Sequence, residues 1–200
     1  MPPDALDTLA ESLAGTFPGC EDAPLALALQ RELAAGEPVA ASTLGERAGT
    51  VLVRWPNVNY DDDGRVVAFS GLSLRPTAHR FTVGGRQLYT WCAWDTLFLP
   101  AMLGQPADVQ STCPVSGNAV RLSVDPNGVR QADPQPLWVS FPPAATTSTA
   151  DITGTFCCHV HFLATPAAAE HWLNRHPDGT VLDIDDAYEL GRKATCCCTG

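Results

Sequence analysis

A thiol and a carboxyl group lie three residues apart in WCAWDTLFLP, from Trp91 to Pro100, and Asp95 is the one acid between Trp91 and Leu103. If this stretch is helical, Cys92 and Asp95 are i and i+3 neighbours on one face. An apolar wall of Trp91, Trp94, Leu97 and Phe98 would then raise the Asp95 pKa by desolvation, giving an acid able to hold a proton and deliver it. Pro100 removes one helical hydrogen bond and clashes with the preceding turn, so the helix must kink or begin near Asp95. Read alone, the stretch equally allows Asp95 as a helix N-cap and Cys92 as a small buried hydrophobe.

A second reactive stretch is FCCHVHFL, Phe156 to Leu163. Its aromatic and β-branched content predicts a buried strand. Period-two geometry would put Cys157, His159 and His161 on one face and Phe156, Cys158, Val160 and Phe162 on the other, so the two adjacent thiols must do different jobs. Core packing is the expectation for Cys158, with an auxiliary ligand role as the alternative. The two histidines either join the Cys157 face chemically or are buried and bonded to backbone.

The chain that must position these groups has 200 residues, 45% of them hydrophobic, eight cysteines and a formal charge of −10. That length buries a real core, and the charge argues against nucleic acid as a partner. MPPDALDT lacks a basic region and an apolar core, and no window approaches eighteen apolar residues, so neither a signal peptide nor a membrane span is expected. Those features point to the cytoplasm. There, Cys20, Cys92, Cys113, Cys157, Cys158, Cys196, Cys197 and Cys198 read as ligands, nucleophiles or core residues rather than a disulfide framework.

Helical patterns open the chain. Asp4 can cap a run carrying Leu6, Leu9 and Leu13, Pro24 can open a second helix with Leu25, Leu29 and Leu33, and a third is expected from Ser42 to Ala48. VNYDDDGRVVAF then reads as a hairpin turning at Asp63-Gly64. Three helices and a hairpin suggest a winged helix, yet residues 1–63 hold three Arg, no Lys and eleven acids, a balance of −8. Such a surface repels phosphates, so the unit is read as serving packing or substrate cover. Next, Phe81–Val83 and Gln87–Tyr89 can pair across Gly84-Gly85 into the Cys92 segment, with strands at Val120–Val124 and Pro136–Phe141. PPAATTSTADITG, from Pro142, is either a plain surface loop or a lid. Thr165 and Pro166 start a helix to about His176, and a last helix runs from about Asp185 to Lys193. The expected fold is α+β: a winged-helix-like unit over residues 1–80, then a mixed α/β catalytic domain with a small sheet over residues 81–200.

Taken together, WCAWDTLFLP, STCPVSG and FCCHVHFLATPAAAEHWL resemble the alkylmercury lyase family of bacterial mercury resistance, and the likeness reaches back through YDDDGRVVAFSGLSLRPTAHRF. The resemblance implies a catalytic set of Cys92, Asp95 and Cys157, and a structural part for Cys113. The residue types suit that chemistry, because mercury(II) is soft and thiophilic and two thiolates are fitting ligands. Asp95 could remove a thiol proton as substrate binds and later give it to the leaving carbon. The outcome would be protonolysis of R-Hg-X to RH, with Hg(II) held by Cys92 and Cys157. No cofactor is implied, since the substrate brings its own metal, although turnover would need excess external thiol. Partners would be small organomercurials, with mercuric reductase a possible Hg(II) acceptor. Cys196, Cys197 and Cys198 depart from the expected family pattern and are either incidental or a hand-off site working by thiol exchange, as is Cys158 in its auxiliary reading. The rival reading is a non-catalytic metal-binding protein or metallochaperone using Cys92, Cys157, His159 and His161; it lacks a second Cys-x-x-Cys pair. A winged-helix metal sensor is a third, opposed by the acidic N-terminal charge.

Overall fold

A computed structural model describes residues 3–195 of the chain. Helices α1 (Pro3–Ala14) and α2 (Ala23–Ala34) bury Leu6, Leu13, Leu29 and Leu33, as the leucine spacing requires. Pro24 sits in the first turn of α2, where a missing N–H leaves no bond unmade. The third helix differs from expectation. A 3₁₀ turn over Ala41–Leu44 stops at Gly45, whose φ of 103° no helix can use, and α3 (Ala48–Leu52) starts afresh beyond it.

The hairpin forms as read. β1 (Val58–Tyr60) and β2 (Val66–Phe69) flank a turn in which Asp61 Oδ1 accepts the N–H groups of Asp63 and Arg65. Beyond it the chain gives β3 (Leu72–Ser73), β4 (His79–Val83), β5 (Arg86–Thr90), α4 (Asp95–Leu103), β6 (Ala107–Thr112), β7 (Ala119–Asp125), β8 (Gly128–Asp133) and β9 (Trp138–Phe141). It ends with α5 (Ile152–Thr155), β10 (Phe162–Leu163), α6 (Pro166–Arg175), β11 (Thr180–Asp183) and α7 (Ile184–Ala194). Thr165 caps α6 by accepting from the Ala168 N–H, and Asp183 caps α7 by accepting from Asp186.

The sheet is larger than expected. Eight antiparallel strands run in the order β1-β2-β3-β5-β4-β6-β7-β8, and a second sheet has the order β10-β9-β11. Gly84 and Gly85, with φ of 56° and 75°, make the tight β4–β5 turn that the Gly-Gly pair foretold, with Val83 opposite Arg86. β6 escaped notice as a strand, although its residues alternate strictly between buried and exposed. On this frame α4 packs against α2, α7, β4 and β7 and is buried at every position but Ala101. Among the described residues, no helix is long and apolar enough to cross a membrane.

The expected strand over Phe156–Leu163 is corrected. Extended pairing is confined to β10, and upstream of it α5 runs into a 3₁₀ turn over Cys157–His159. Asp151 initiates this helical turn by accepting from the Gly154 N–H, and Phe156 and His159 continue it by donating to Ile152 and Phe156 carbonyls. Local capping therefore overrides strand propensity here. On this turn the neighbouring Phe156 and Cys157 are both buried.

Candidate active site

The Cys92–Asp95 corner is built where β5 meets α4. The helix begins at Asp95, one of the two outcomes Pro100 allowed, and ends at Gly104 in a left-handed C-cap. Behind its first residue the chain turns tightly, so the Cys92 N–H donates to Asp95 Oδ2 at 2.8 Å. Thr90 Oγ1 donates to the Cys92 carbonyl at 2.9 Å, and Thr96 Oγ1 donates to that of Ala93 at 2.6 Å. Trp94 is fixed from the far side, its Nε1 donating to the Ala187 carbonyl of α7 at 3.0 Å. Gly191 permits that approach, because a Cβ there would meet Phe98 Cβ at 2.8 Å.

Cys157 arrives on the 3₁₀ turn with Phe156, whose ring meets that of Trp94 edge-on at 5.9 Å. The Ala93 N–H donates to the Val160 carbonyl at 3.3 Å, tying the two reactive stretches together. As a result the ligand atoms of Cys92, Asp95 and Cys157 lie within 4.8 Å of one another, all three residues buried. This group of two sulfurs and one oxygen suits a soft, thiophilic metal. Phe17, Trp91, Trp94, Ile152 and Phe156 wall a small cavity of about 30 Å³, onto which Asp95 and Cys157 face.

Burial governs the electrostatics. Asp95 is pushed up to about 7 by desolvation, against the opposing pull of the Cys92 thiol and the Cys92 and Trp91 backbone N–H groups. Cys92 is raised well above the usual thiol value by burial, by its hydrogen bond to Cys157 and by the Asp95 charge. Cys157 is lowered by the Cys92 hydrogen bond, yet burial and the charges of Asp95 and Cys158 leave it raised on balance. Of the two thiols, Cys157 is the one stabilised as an acceptor and the one that faces the cavity. Both thiols are thus held towards the neutral form, Cys92 the more strongly.

The other singled-out residues lie apart from this cluster. Cys158 is exposed, its Sγ donating to the Gly154 carbonyl at 3.1 Å. The core packing expected for it is thus overturned, because the 3₁₀ turn places consecutive side chains about 120° apart and sends the second thiol outward. With the strand absent, His159 and His161 share no strand face with Cys157; the His159 ring packs against that of His176 at 5.7 Å. Cys113 is buried, and although burial pushes its thiol up, hydrogen bonds from Ser116, Ala164 and Val115 hold it below the usual value. Cys20 is disulfide-bonded, against the expectation that every cysteine stays reduced; a compartment rule describes average thiols and does not forbid one bond. Cys196, Cys197 and Cys198 lie outside the described residues.

Gly71 was missed in the sequence. A Cβ there would meet Asp95 Cγ and Oδ1 at 2.6 Å, and its φ is 92°. The carboxyl group therefore occupies space that only glycine leaves free, in a turn whose carbonyl accepts from the Trp91 N–H at 2.9 Å. The Ser70-Gly71 pair between two apolar runs signals the turn, though nothing in it names the residue opposite. Gln30 was missed as well: fully buried on α2, it donates from Nε2 to the Ser70 carbonyl at 3.2 Å.

The model of the alkylmercury lyase family matches residues 72–195. The chain is 42% identical over 171 residues to the alkylmercury lyase of Staphylococcus epidermidis, covering 82% of this chain and 78% of that protein. It is 40% identical over 190 residues to the alkylmercury lyase of Pseudomonas putida, covering 92% and 88%. In fold it is similar to the crystal structure of the mercury-bound form of MerB2, with a TM-score of 0.76 over 96% of this chain and 98% of that one at 23% identity.

Proposed function

Because the chain belongs to the alkylmercury lyase family and is an organomercurial lyase, we propose that Cys92, Cys157 and Asp95 carry its reaction. The observation that supports this most is the clustering of their ligand atoms within 4.8 Å in an apolar, buried site. Cys157 loses its proton and displaces X from R-Hg-X, forming a Cys157–Hg bond and releasing HX. Cys92 then passes its proton to the Asp95 carboxylate, whose oxygen lies within 4.8 Å of its sulfur, and becomes the second sulfur ligand. Two thiolates put electron density on the metal and polarise the Hg–C bond. Asp95 gives the proton to carbon, the Hg–C bond breaks and a C–H bond forms. In sum, R-Hg-X and two thiols become RH, HX and Hg(II) bridged by Cys92 and Cys157, with Asp95 returned to its carboxylate.

A carboxyl group whose pKa is about 7 is suited to both halves of that relay, since neither taking nor giving the proton is steeply uphill at neutral pH. Mercury is substrate and product, so the reading calls for no resident cofactor. Excess external thiol releases the Hg(II), which favours turnover in the cytoplasm and transfer onward to an acceptor such as mercuric reductase. Residues 1–80 are read as a winged-helix-like cover rather than a DNA-binding unit, a reading supported by the Phe17 ring, which meets Phe98 at 5.3 Å and Trp94 at 6.1 Å. The test is headspace hydrocarbon: methane from methylmercury and benzene from phenylmercury, each in excess thiol. Release that persists after Cys92→Ser or Cys157→Ser would remove those residues from the mechanism.

A further inference from the structure

The cavity at Asp95 and Cys157 is narrow, about 30 Å³, and both side chains are only 6% exposed. A thiol this deeply buried meets a mercury atom bearing a phenyl group only when one wall moves aside. The walls are not equally held. Gly71 lies in the turn between β2 and β3, Trp91 follows β5, and Trp94 and Asp95 open α4; all are fixed by the backbone and indole hydrogen bonds already described.

Thr16 and Phe17 form a second side, held by backbone bonds to Leu13 and Ala14 and by the Phe17 ring against Trp94 and Phe98. Ile152, on the short α5, and Phe156, just beyond it, form the third. Within this segment Asp151 caps Gly154, and Thr155 Oγ1 accepts from the Ser148 N–H at 2.9 Å, so residues 148–156 hold together as a unit. Apart from the packing of the Phe156 ring on Trp94 and Phe141, what joins the unit to the body by hydrogen bonds is Asn57. Its Nδ2 donates to the Thr149 carbonyl at 2.9 Å, and its Oδ1 accepts from the Ile152 N–H at 3.3 Å. Among the described residues, the other hydrogen bonds of 148–156 stay inside it or reach Cys158 and His159. Asn57 also lines the cavity and holds a φ of 64°, a left-handed conformation that asparagine tolerates better than most residues. Just upstream, Thr147 Oγ1 is buried without a hydrogen-bond partner, so the closed arrangement leaves unpaired a hydroxyl that opening would wet.

We propose that Asn57 is the latch of a lid formed by residues 148–156, and that release of this latch sets the size of organic group admitted beside Cys157. The second clause rests on the lyase reading; the first does not. Release exchanges the two Asn57 bonds for water and swings Ile152 and Phe156 away from Trp94. Small alkyl mercurials need a brief opening, whereas aryl mercurials need a wider one and feel the latch more.

The test uses the full chain in a Cys158→Ser background, so that labelling near the site reports Cys157. Asn57→Gly removes both bonds while keeping the left-handed backbone unstrained, and Asn57→Asp keeps the acceptor alone. N-ethylmaleimide should label Cys157 about tenfold faster in Asn57→Gly, with Asn57→Asp between it and the parent, as expected for two lost hydrogen bonds. In excess thiol, the ratio of kcat/KM for phenylmercury over methylmercury should rise about threefold or more in Asn57→Gly, the loss of part of that same latch. Unchanged labelling in both variants overturns the latch. Faster labelling with an unchanged ratio overturns its control of substrate size. Should the parent release no hydrocarbon at all, the lyase reading fails, and labelling still decides the latch by itself.

Discussion

The two halves of the site are built in opposite ways. Cys92 and Asp95 are three residues apart, joined by a backbone-to-carboxylate hydrogen bond of 2.8 Å and embedded between β5, α4 and α7. Cys157 comes from more than sixty positions downstream on a 3₁₀ turn whose approach is secured by side-chain caps and one asparagine. On the proposed mechanism the rigid half passes the proton from Cys92 through Asp95 to carbon, a transfer that preorganisation favours. On the same mechanism the lightly held half carries the thiol that meets incoming mercury, where access matters more than rigidity.

Replacing either sulfur by oxygen tests this contrast most severely. Cys92→Ser and Cys157→Ser should each reduce hydrocarbon release to background, because a soft metal binds a hydroxyl poorly. They should differ in capture: Cys92→Ser retains the cavity thiol and still takes up mercury, whereas Cys157→Ser takes it up much more slowly. Equal capture rates in stopped-flow experiments would erase the distinction between the halves.

The rigid half also has a pH signature. Asp95 has its folded pKa raised to about 7 from an ordinary 3.8, so its protonated form is favoured in the folded state. Its contribution to stability is complete below about pH 4 and is lost as pH rises to about 7, by about 4 kcal/mol at 1.36 kcal/mol per unit. His79 has the opposite sign: burial lowers it to about 4, so its contribution is present above pH 6.5 and is lost as pH falls towards 4. Both proteins share His79, so the stability difference between wild type and Asp95→Asn isolates the carboxyl group. Denaturant unfolding at pH 4, 5.5 and 7 should find the variant gaining on the wild type as pH rises; parallel curves would mean that Asp95 is not desolvated.

Gly71→Ala should lower kcat by about a hundredfold by displacing the carboxyl group, and destabilise by about 1–3 kcal/mol through its left-handed backbone. A normal kcat would mean that the site tolerates a moved acid. The smallest effect belongs to Cys158→Ser, which should keep turnover within about threefold, as exposed substitutions usually do.

Legibility followed the same divide. Residues 91–100 could be read because the informative contacts are local: an i, i+3 spacing, an apolar run and a proline that dictates where the helix starts. The tight turns at Gly64 and Gly84-Gly85 were legible for the same reason. Phe156–Leu163 misled because its aromatic and β-branched content is the strand pattern, while the deciding residue, Asp151, stands outside the stretch. Gly71, Gln30 and Asn57 were invisible because each acts on a neighbour 24 or more positions away, as when Asn57 bonds Ile152 across 95 residues, and no spacing rule reaches that far. The pairing of Cys92 with Cys157 was carried by family likeness, since no local pattern links two positions on different elements.

The central claim is that Asp95 moves the proton while the two sulfurs hold the metal. Asp95→Asn separates these roles when mercury stoichiometry and headspace benzene are measured on one sample with phenylmercury. The account predicts one bound mercury per chain and benzene release lowered by about 10²- to 10⁴-fold, the range for losing a general acid. Benzene at the wild-type rate would contradict it and put the proton donor elsewhere.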